Sequence, residues 1–222
     1  MKISKYIAAA SFAVTLIAGS AAQASDETRL VEKATRVAEH MKSDPAFGAA
    51  QDMLRHAKAV FIVPSLVKGG FIFGAEGGNG VLLKRTGRNS WSGPAFYAMG
   101  SASFGLQIGL QKAEIVMLIM SDRALRGIQH DNFKIGAGAG ITAVTLSSGA
   151  EGATSGRGGD IVVWTSGTGA YGGLTFNGTG LKPLHDWNHD YYGRGVSVGE
   201  ILSGSARNPD ARGLQSELSS IR

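Results

Sequence analysis

Glycine constrains this chain more than any other residue. There are 33 glycines in 222 residues, about twice the ordinary share of ~7%. They do not form a linker. They alternate with bulky apolar residues, most densely between 68 and 109, KGGFIFGAEGGNGVLLKRTGRNSWSGPAFYAMGSASFGLQIG. A strand glycine lets another backbone, a helix or a ring approach closely. Each such site costs up to ~1 kcal/mol relative to alanine, and only close packing offsets that. Gly136, Gly138 and Gly140 repeat the pattern, alternating with alanine so that the glycines share one face. Strands of this kind suit the corners of a strongly bent sheet. The expected fold is α+β: a glycine-rich curved antiparallel sheet or small β-barrel, with N- and C-terminal helices packed on one side and at the ends.

Periodicity places the elements. Leu30, Val31, Ala34, Val37, Ala38 and Met41 make the apolar face of a helix over 26–42, capped by Ser25 or Asp26. Ser43-Asp44-Pro45 starts a second helix with Phe47, Ala50, Met53, Leu54 and Ala57 inward. Val60 to Val63 is a strand stopped by Pro64. Residues 70–75 and 80–84 read as a hairpin around Glu76-Gly77-Gly78-Asn79. Strands are expected over 95–110 and 112–120, the second buried on both faces. Ser121-Asp122 caps a short helix through Ile128. Strands follow over 133–146, 160–165 and 170–176, with a polar Gly/Ser loop at 147–159. Helices close the chain at 198–202 and 210–221.

The first 24 residues have the pattern of a signal peptide: Lys2 and Lys5, an apolar run from Ile7 to Ala18, and a small-x-small end at Ala22-Gln23-Ala24. The expected mature chain starts at Ser25 and forms one domain, 25–222. Its parts are helices at 25–58, a β-rich core at 59–180, and an aromatic turn with helices at 181–222. The style of the signal suits a Gram-negative periplasm or secretion. With no cysteine, neither disulfides nor an acylated cysteine are available, so packing alone must stabilise the fold. Without Lys2 and Lys5, the 22 basic and 17 acidic residues leave a net charge of +3. So mild an excess makes the placement of charge more informative than its total. No nucleic-acid recognition motif appears.

Catalytic patterns are missing. There is no G-x-x-x-x-G-K-[ST] phosphate loop, and Gly136-x-Gly138-x-Gly140 has the wrong last spacing for a dinucleotide fingerprint. No G-x-S-x-G elbow positions a serine. His185 and His189 stand at i, i+4 and can face one metal on a helix. They lack an H-E-x-x-H context, and an aromatic turn packing Trp187, Tyr191 and Tyr192 accounts for the same residues. The expectation is a protein that is no enzyme and holds no cofactor, with a metal-dependent hydrolase as a weaker reading.

The basic turn is the candidate site. Lys68 precedes the expected hairpin, and Lys84, Arg85 and Arg88 follow it. Cations near an anionic membrane contribute roughly 1 kcal/mol each. Trp91 beside them can act as an interfacial aromatic. The plainer readings are a solvated basic turn and a core tryptophan. The first helix mixes Glu27, Arg29, Glu32, Lys33, Arg36 and Glu39 on its polar face, which suits packing on the sheet better than membrane insertion.

These residues also resemble a family. Lys68, Gly69, Gly70, Gly74, Gly78, Gly80, Arg85, Trp91-Ser92, Pro94, Ser103, Gly105 and Gln107-Ile108-Gly109 are similar to the SYLF domain pattern. So are Tyr191-Tyr192-Gly193 and Ile201-Leu202-Ser203-Gly204. The resemblance spans about residues 30 to 220. It implies lipid binding, chiefly of phosphoinositides in eukaryotic members, some of which also bind actin. An exported protein meets neither, so what carries over is attraction to anionic phospholipid or a membrane surface. Lys68, Lys84, Arg85, Arg88 and Trp91 are the expected lipid-binding residues. A structural or protein-interaction role in the envelope is the alternative, its partner unknown.

Overall fold

The structure, a computed structural model, describes residues 24–44, 51–70, 73–104, 111–131, 133–136, 143–147, 159–166 and 178–221. The expected leader, the start of the second helix, the strand over 170–176 and most of the Gly/Ser loop lie outside the described residues.

Helix α1 (Asp26–Ser43) begins where the Ser25 hydroxyl accepts the amide of Thr28. Acidic Asp26 and Glu27 lie in its first turn and basic His40 and Lys42 in its last, which complements the helix dipole. Val31, Ala34, Val37, Ala38 and Met41 are buried, as their spacing requires. Helix α2 (Gln51–His56) leads into strands β1 (Ala59–Gly70), β2 (Phe73–Gly87), β3 (Ser90–Trp91), β4 (Ala95–Phe104) and β5 (Gln111–Ile119). Helix α3 (Asp122–Gln129) is capped by Ser121. Strands β6 (Phe133–Lys134), β7 (Ala143–Ser147), β8 (Ile161–Ser166) and β9 (Gly180–Pro183) complete the sheet. Helices α4 (His185–Tyr192) and α5 (Val198–Ser203) come next, then a 3₁₀ turn (Pro209–Ala211) and helix α6 (Arg212–Ser220).

The sheet is a curled half-barrel with the order β6-β9-β4-β2-β1-β5-β8-β7, and β3 pairs with β2 at one end. The pairings are antiparallel, as expected, except that β7 runs parallel to β8. Helices cover both faces rather than one. Phe61, Val63, Tyr97, Ile115, Met117 and Ile119 pack with α3 and α5. Val60, Ile62, Phe96, Val116, Leu118 and Trp164 pack with α1, α4 and α6. Double coverage is why β5 reads as an unbroken apolar run: Ile115 to Ile119 are all buried.

Several elements differ from expectation. β1 is not stopped by Pro64 but runs on to Gly70, and β9 (Gly180–Pro183) stands where no strand was expected. Glu76-Gly77-Gly78-Asn79 is not a turn; β2 runs straight through it, and the chain reverses earlier, where Gly70 pairs with Gly74. The glycines are there for β1. A Cβ at Gly78 would lie 2.5 Å from the Ser65 carbonyl oxygen, and one at Gly80 would lie 2.6 Å from that of Ile62 and 2.8 Å from the Phe61 ring. Likewise, residues 185–192 form a helix rather than a turn. No side chain caps its start at Leu184, and Gly193, with φ of 67°, ends it. Its anchor is Asn188, fully buried, whose Oδ1 accepts the Phe96 amide at 2.8 Å and whose Nδ2 donates to the Phe96 carbonyl at 3.3 Å. Phe96, Tyr191 and Tyr192 stack edge to face around it, and burial pushes both tyrosine hydroxyls well above their usual pKa.

The close approach is testable by substitution. Gly78→Ala and Gly80→Ala should each destabilise by about 1–3 kcal/mol in urea unfolding, the usual cost of overpacking. Gly77→Ala should be neutral or mildly stabilising, because its Cβ meets only the Met99 carbonyl oxygen at an ordinary 3.5 Å.

Candidate functional site: a basic cleft beside the β2–β3 turn

The register of β1 builds the site. Ala59 pairs with Lys84 on one side and with Ile119 on the other. The end of α2, the end of β2 and the start of α3 therefore meet at one end of the sheet. Two backbone bonds fix the junction: the Lys58 amide donates to the Ile119 carbonyl at 2.7 Å, and the Arg85 amide to the Lys58 carbonyl at 2.8 Å. Between these elements lies an open cleft of about 480 Å³, whose walls include His56, Lys58, Lys84, Arg85, Arg88 and Asp122. Four permanent cations face one carboxylate. Asp122 is partly neutralised by Lys58, whose Nζ lies 3.5 Å from its Oδ2. The side chains of Lys84 and Arg88 make no hydrogen bond or ion pair to a described residue, and Arg88 is exposed. Such a cleft attracts anions, and low-dielectric walls strengthen the attraction.

Arg85 is held differently. Its Nε donates to the Ala57 carbonyl at 3.0 Å, one terminal nitrogen to the Leu54 carbonyl at 2.6 Å, and the other to the Arg88 carbonyl at 3.0 Å. Its guanidinium carbon lies 4.2 Å from the centroid of the Trp91 ring. Arg85 thus satisfies the last carbonyls of α2, braces the turn and caps an aromatic face. Burial lowers its pKa from the usual arginine value. Trp91 is only 5% exposed, so it packs as a core tryptophan beneath Arg85. Three of the expected lipid-binding residues, Lys84, Arg85 and Arg88, therefore share one cleft, with Trp91 under it.

Lys68 is not brought to them. It pairs with Glu76 and Gln111 in the distal part of β1, nine positions beyond Ala59, or roughly 30 Å along a strand. A turn at 76–79 would have folded it back beside Lys84; the continuous β2 carries it away. Conversely, Lys58 and His56 belong to the cleft and were not among the expected residues. Lys58 immediately precedes the first strand, and only the pairing of that strand with β2 shows whom it faces.

The histidines expected as possible metal ligands lie elsewhere. His185 is 3.3 Å from Asp131 and His189 is 3.3 Å from Asp190, all exposed. Among the described residues no three His, Cys, Asp or Glu side chains gather as a metal site. No described helix is long and apolar enough to cross a membrane.

Comparison with known proteins agrees with this architecture. Residues 100–221, more than half of the chain, match the family described as Ysc84: Las17-binding protein actin regulator. The chain belongs to this SYLF family. It is 28% identical over 189 residues to LAS seventeen-binding protein 3 of Saccharomyces cerevisiae, covering 81% of this chain and 41% of that protein. It is also 28% identical over 150 residues to SH3 domain-containing YSC84-like protein 1 of Xenopus laevis, covering 66% of this chain and 45% of that one. The chain thus spans less than half the length of these relatives. No solved structure matches it.

The different bonding of the cations separates their roles. Arg85→Ala should lower stability by about 2–3 kcal/mol in chemical denaturation, since it strands the α2 carbonyls and uncovers Trp91. Lys84→Ala and Arg88→Ala should each stay within about 0.5 kcal/mol. Arg85→Lys should recover little, because an ammonium cannot span three carbonyls.

Proposed function

We propose that this SYLF protein is an exported, non-catalytic binder of anionic phospholipid headgroups at the bacterial envelope. The observation that carries the reading is the cleft in which Lys58, Lys84, Arg85 and Arg88 face the single carboxylate of Asp122. The roles divide within it. Arg85 and Trp91 hold the cleft in shape, while Lys84 and Arg88 have donors left to meet phosphate oxygens. Met53, the large apolar side chain that is exposed among the described residues, lies one helical turn before His56. It therefore projects on the same side of α2 as the cleft and offers a modest apolar contact to a lipid surface. Lys68, at the far end of β1, would be a separate contact. Export rests on the pattern of Lys2, Lys5, Ile7 to Ala18 and Ala22-Gln23-Ala24. That compartment points to bulk anionic phospholipids rather than phosphoinositides, and nucleic acid is no expected partner.

A second reading has its own support. The matched family is described by Las17 binding, and one relative, LAS seventeen-binding protein 3, carries that partner in its name. A protein-interaction module of the envelope, without a lipid ligand, is therefore the alternative.

Co-sedimentation of the mature protein with vesicles distinguishes the two. Phosphatidylglycerol-containing vesicles should carry it down, neutral phosphatidylcholine vesicles should not, and high salt should release it. The Lys84→Ala/Arg88→Ala variant should bind about 30-fold more weakly, from roughly 1 kcal/mol per lost cation. Absence of charge-dependent binding would leave the protein-interaction reading; undiminished binding by the variant would remove the cleft from the lipid site.

A further inference from the structure

A second cleft, of about 670 Å³, shares Thr86 with the basic cleft. It lies between the β2–β3 turn, which contributes Thr86, Ser90 and Trp91, and the segment joining α5 to α6, which contributes Ser203, Arg207 and Arg212. No described aspartate or glutamate lines it. Arg207 and Arg212 are exposed and make no hydrogen bond or ion pair to a described residue. The acids nearest them in sequence are engaged elsewhere. Asp210 accepts the Thr28 hydroxyl of α1 at 3.1 Å, and Glu200 accepts the Ser197 amide at 2.9 Å in a capping box.

The walls are fixed rather than loose. Gln215 on α6 donates from Nε2 to the Trp91 and Ser92 carbonyls at 3.1 and 3.0 Å, joining the two sides across the cleft. Asn208 donates to the Tyr191 carbonyl at 2.6 Å and accepts the Asp210 amide at 2.9 Å, which sets the backbone between the two arginines. The hydroxyls at the rim are already ordered: Thr86 Oγ1 donates to Ser90 Oγ at 3.1 Å, and Ser203 Oγ donates to the Glu200 carbonyl at 2.8 Å. Ser90, the acceptor in the first of these bonds, keeps its own proton to donate, whereas Ser203 has given its proton to Glu200 and its oxygen faces Ser205 Oγ at 2.8 Å.

We propose that this second cleft is a phosphate-binding site, in which Arg207 and Arg212 grip a phosphate group and the hydroxyl of Ser90 adds a further donor. Two guanidinium forks at one place, unopposed by acid, favour a compact anion with several peripheral oxygens. Phosphate meets that better than a carboxylate, whose two oxygens leave one fork unused. The site needs none of the cations of the basic cleft, and it requires no membrane. The phosphate can be the headgroup of a lipid or a free phosphate ester, and the two sources are separable.

Amide NMR of the mature protein, titrated with inorganic phosphate and separately with glycerol 3-phosphate, tests the site. Saturable shifts are expected for amides between Ser203 and Arg212 and for the Trp91 indole. Arg207→Ala/Arg212→Ala should weaken binding about tenfold or more, and Arg207→Gln/Arg212→Gln should do the same while keeping side-chain bulk. Lys84→Ala/Arg88→Ala should leave this titration unchanged, so failure here and failure of the basic cleft are distinguishable. If the Arg207/Arg212 variants also lose phosphatidylglycerol vesicles, a lipid headgroup is the source. If they lose only the soluble phosphates, a free ester is. Shifts between Ser203 and Arg212 that are absent, that do not saturate, or that persist in both arginine variants overturn the proposal, whatever shifts the basic cleft shows.

Discussion

The sheet depends on how closely β2 can lie against β1. At Gly78 and Gly80 the β1 backbone and the Phe61 ring occupy the space where side chains would stand. β1 has a register irregularity in the same region, between Ile62 and Val67. Bulges of this kind increase local twist, so the two strands bend together rather than separate. Because the pairing survives the bend, β2 continues through 15 residues to Gly87. Its last residues then reach past the start of β1, where α2 ends. Without that reach there would be no junction among α2, β2 and α3, and no cleft between them.

Arg85 turns that reach into a rigid site. One guanidinium binds Leu54 and Ala57 from α2 and Arg88 from the turn, and it lies over Trp91. Trp91 in turn offers its carbonyl to Gln215 of α6. Helix α2, the turn and the last helix are thus linked through Arg85, Trp91 and Gln215. The part-exposed polar contacts that hold α1 down, the Lys42–Glu217 ion pair and the His40–Glu114 hydrogen bond at 2.7 Å each, contribute about 0–1 kcal/mol apiece. The apolar stripe of α1 carries most of its attachment. Arg85 and Gln215 thus brace the β2–β3 turn, the segment that both clefts share.

What the sequence made legible follows from the range of the interactions involved. α1 could be read because its cap, dipole charges and apolar stripe all lie within 18 residues. β5 could be read because burial on both faces leaves an unbroken apolar run. α4 could not: it has no N-terminal cap, and its anchor, Asn188, bonds to Phe96 across 92 residues. Gly77-Gly78-Asn79 resembled a turn, because glycine needed for interstrand approach looks locally the same as glycine needed for chain reversal. The same limit governed the site. Lys84, Arg85 and Arg88 were visible as neighbours in sequence, but the division between one braced and two available cations depends on where the α2 carbonyls sit. Lys58 joined the cleft and Lys68 left it through one cause, the register that pairs Ala59 with Lys84.

The distribution of apolar surface limits what kind of lipid contact this architecture can make. The core side chains on both faces of the sheet are covered by helices, and the basic cleft is open and bordered mainly by charged and polar groups. Ala57 and Leu125 are the apolar side chains among the cleft's described walls, with Met53 exposed nearby, so the proposed lipid contact is mainly one of charge. Binding of this form draws its free energy from charge and is accordingly screened by salt over about 10 Å at 0.1 M. Under the proposed reading, such contact would be reversible and peripheral and would leave the lipid in the bilayer. That suits a fold whose covered core leaves cations available at the end of its sheet.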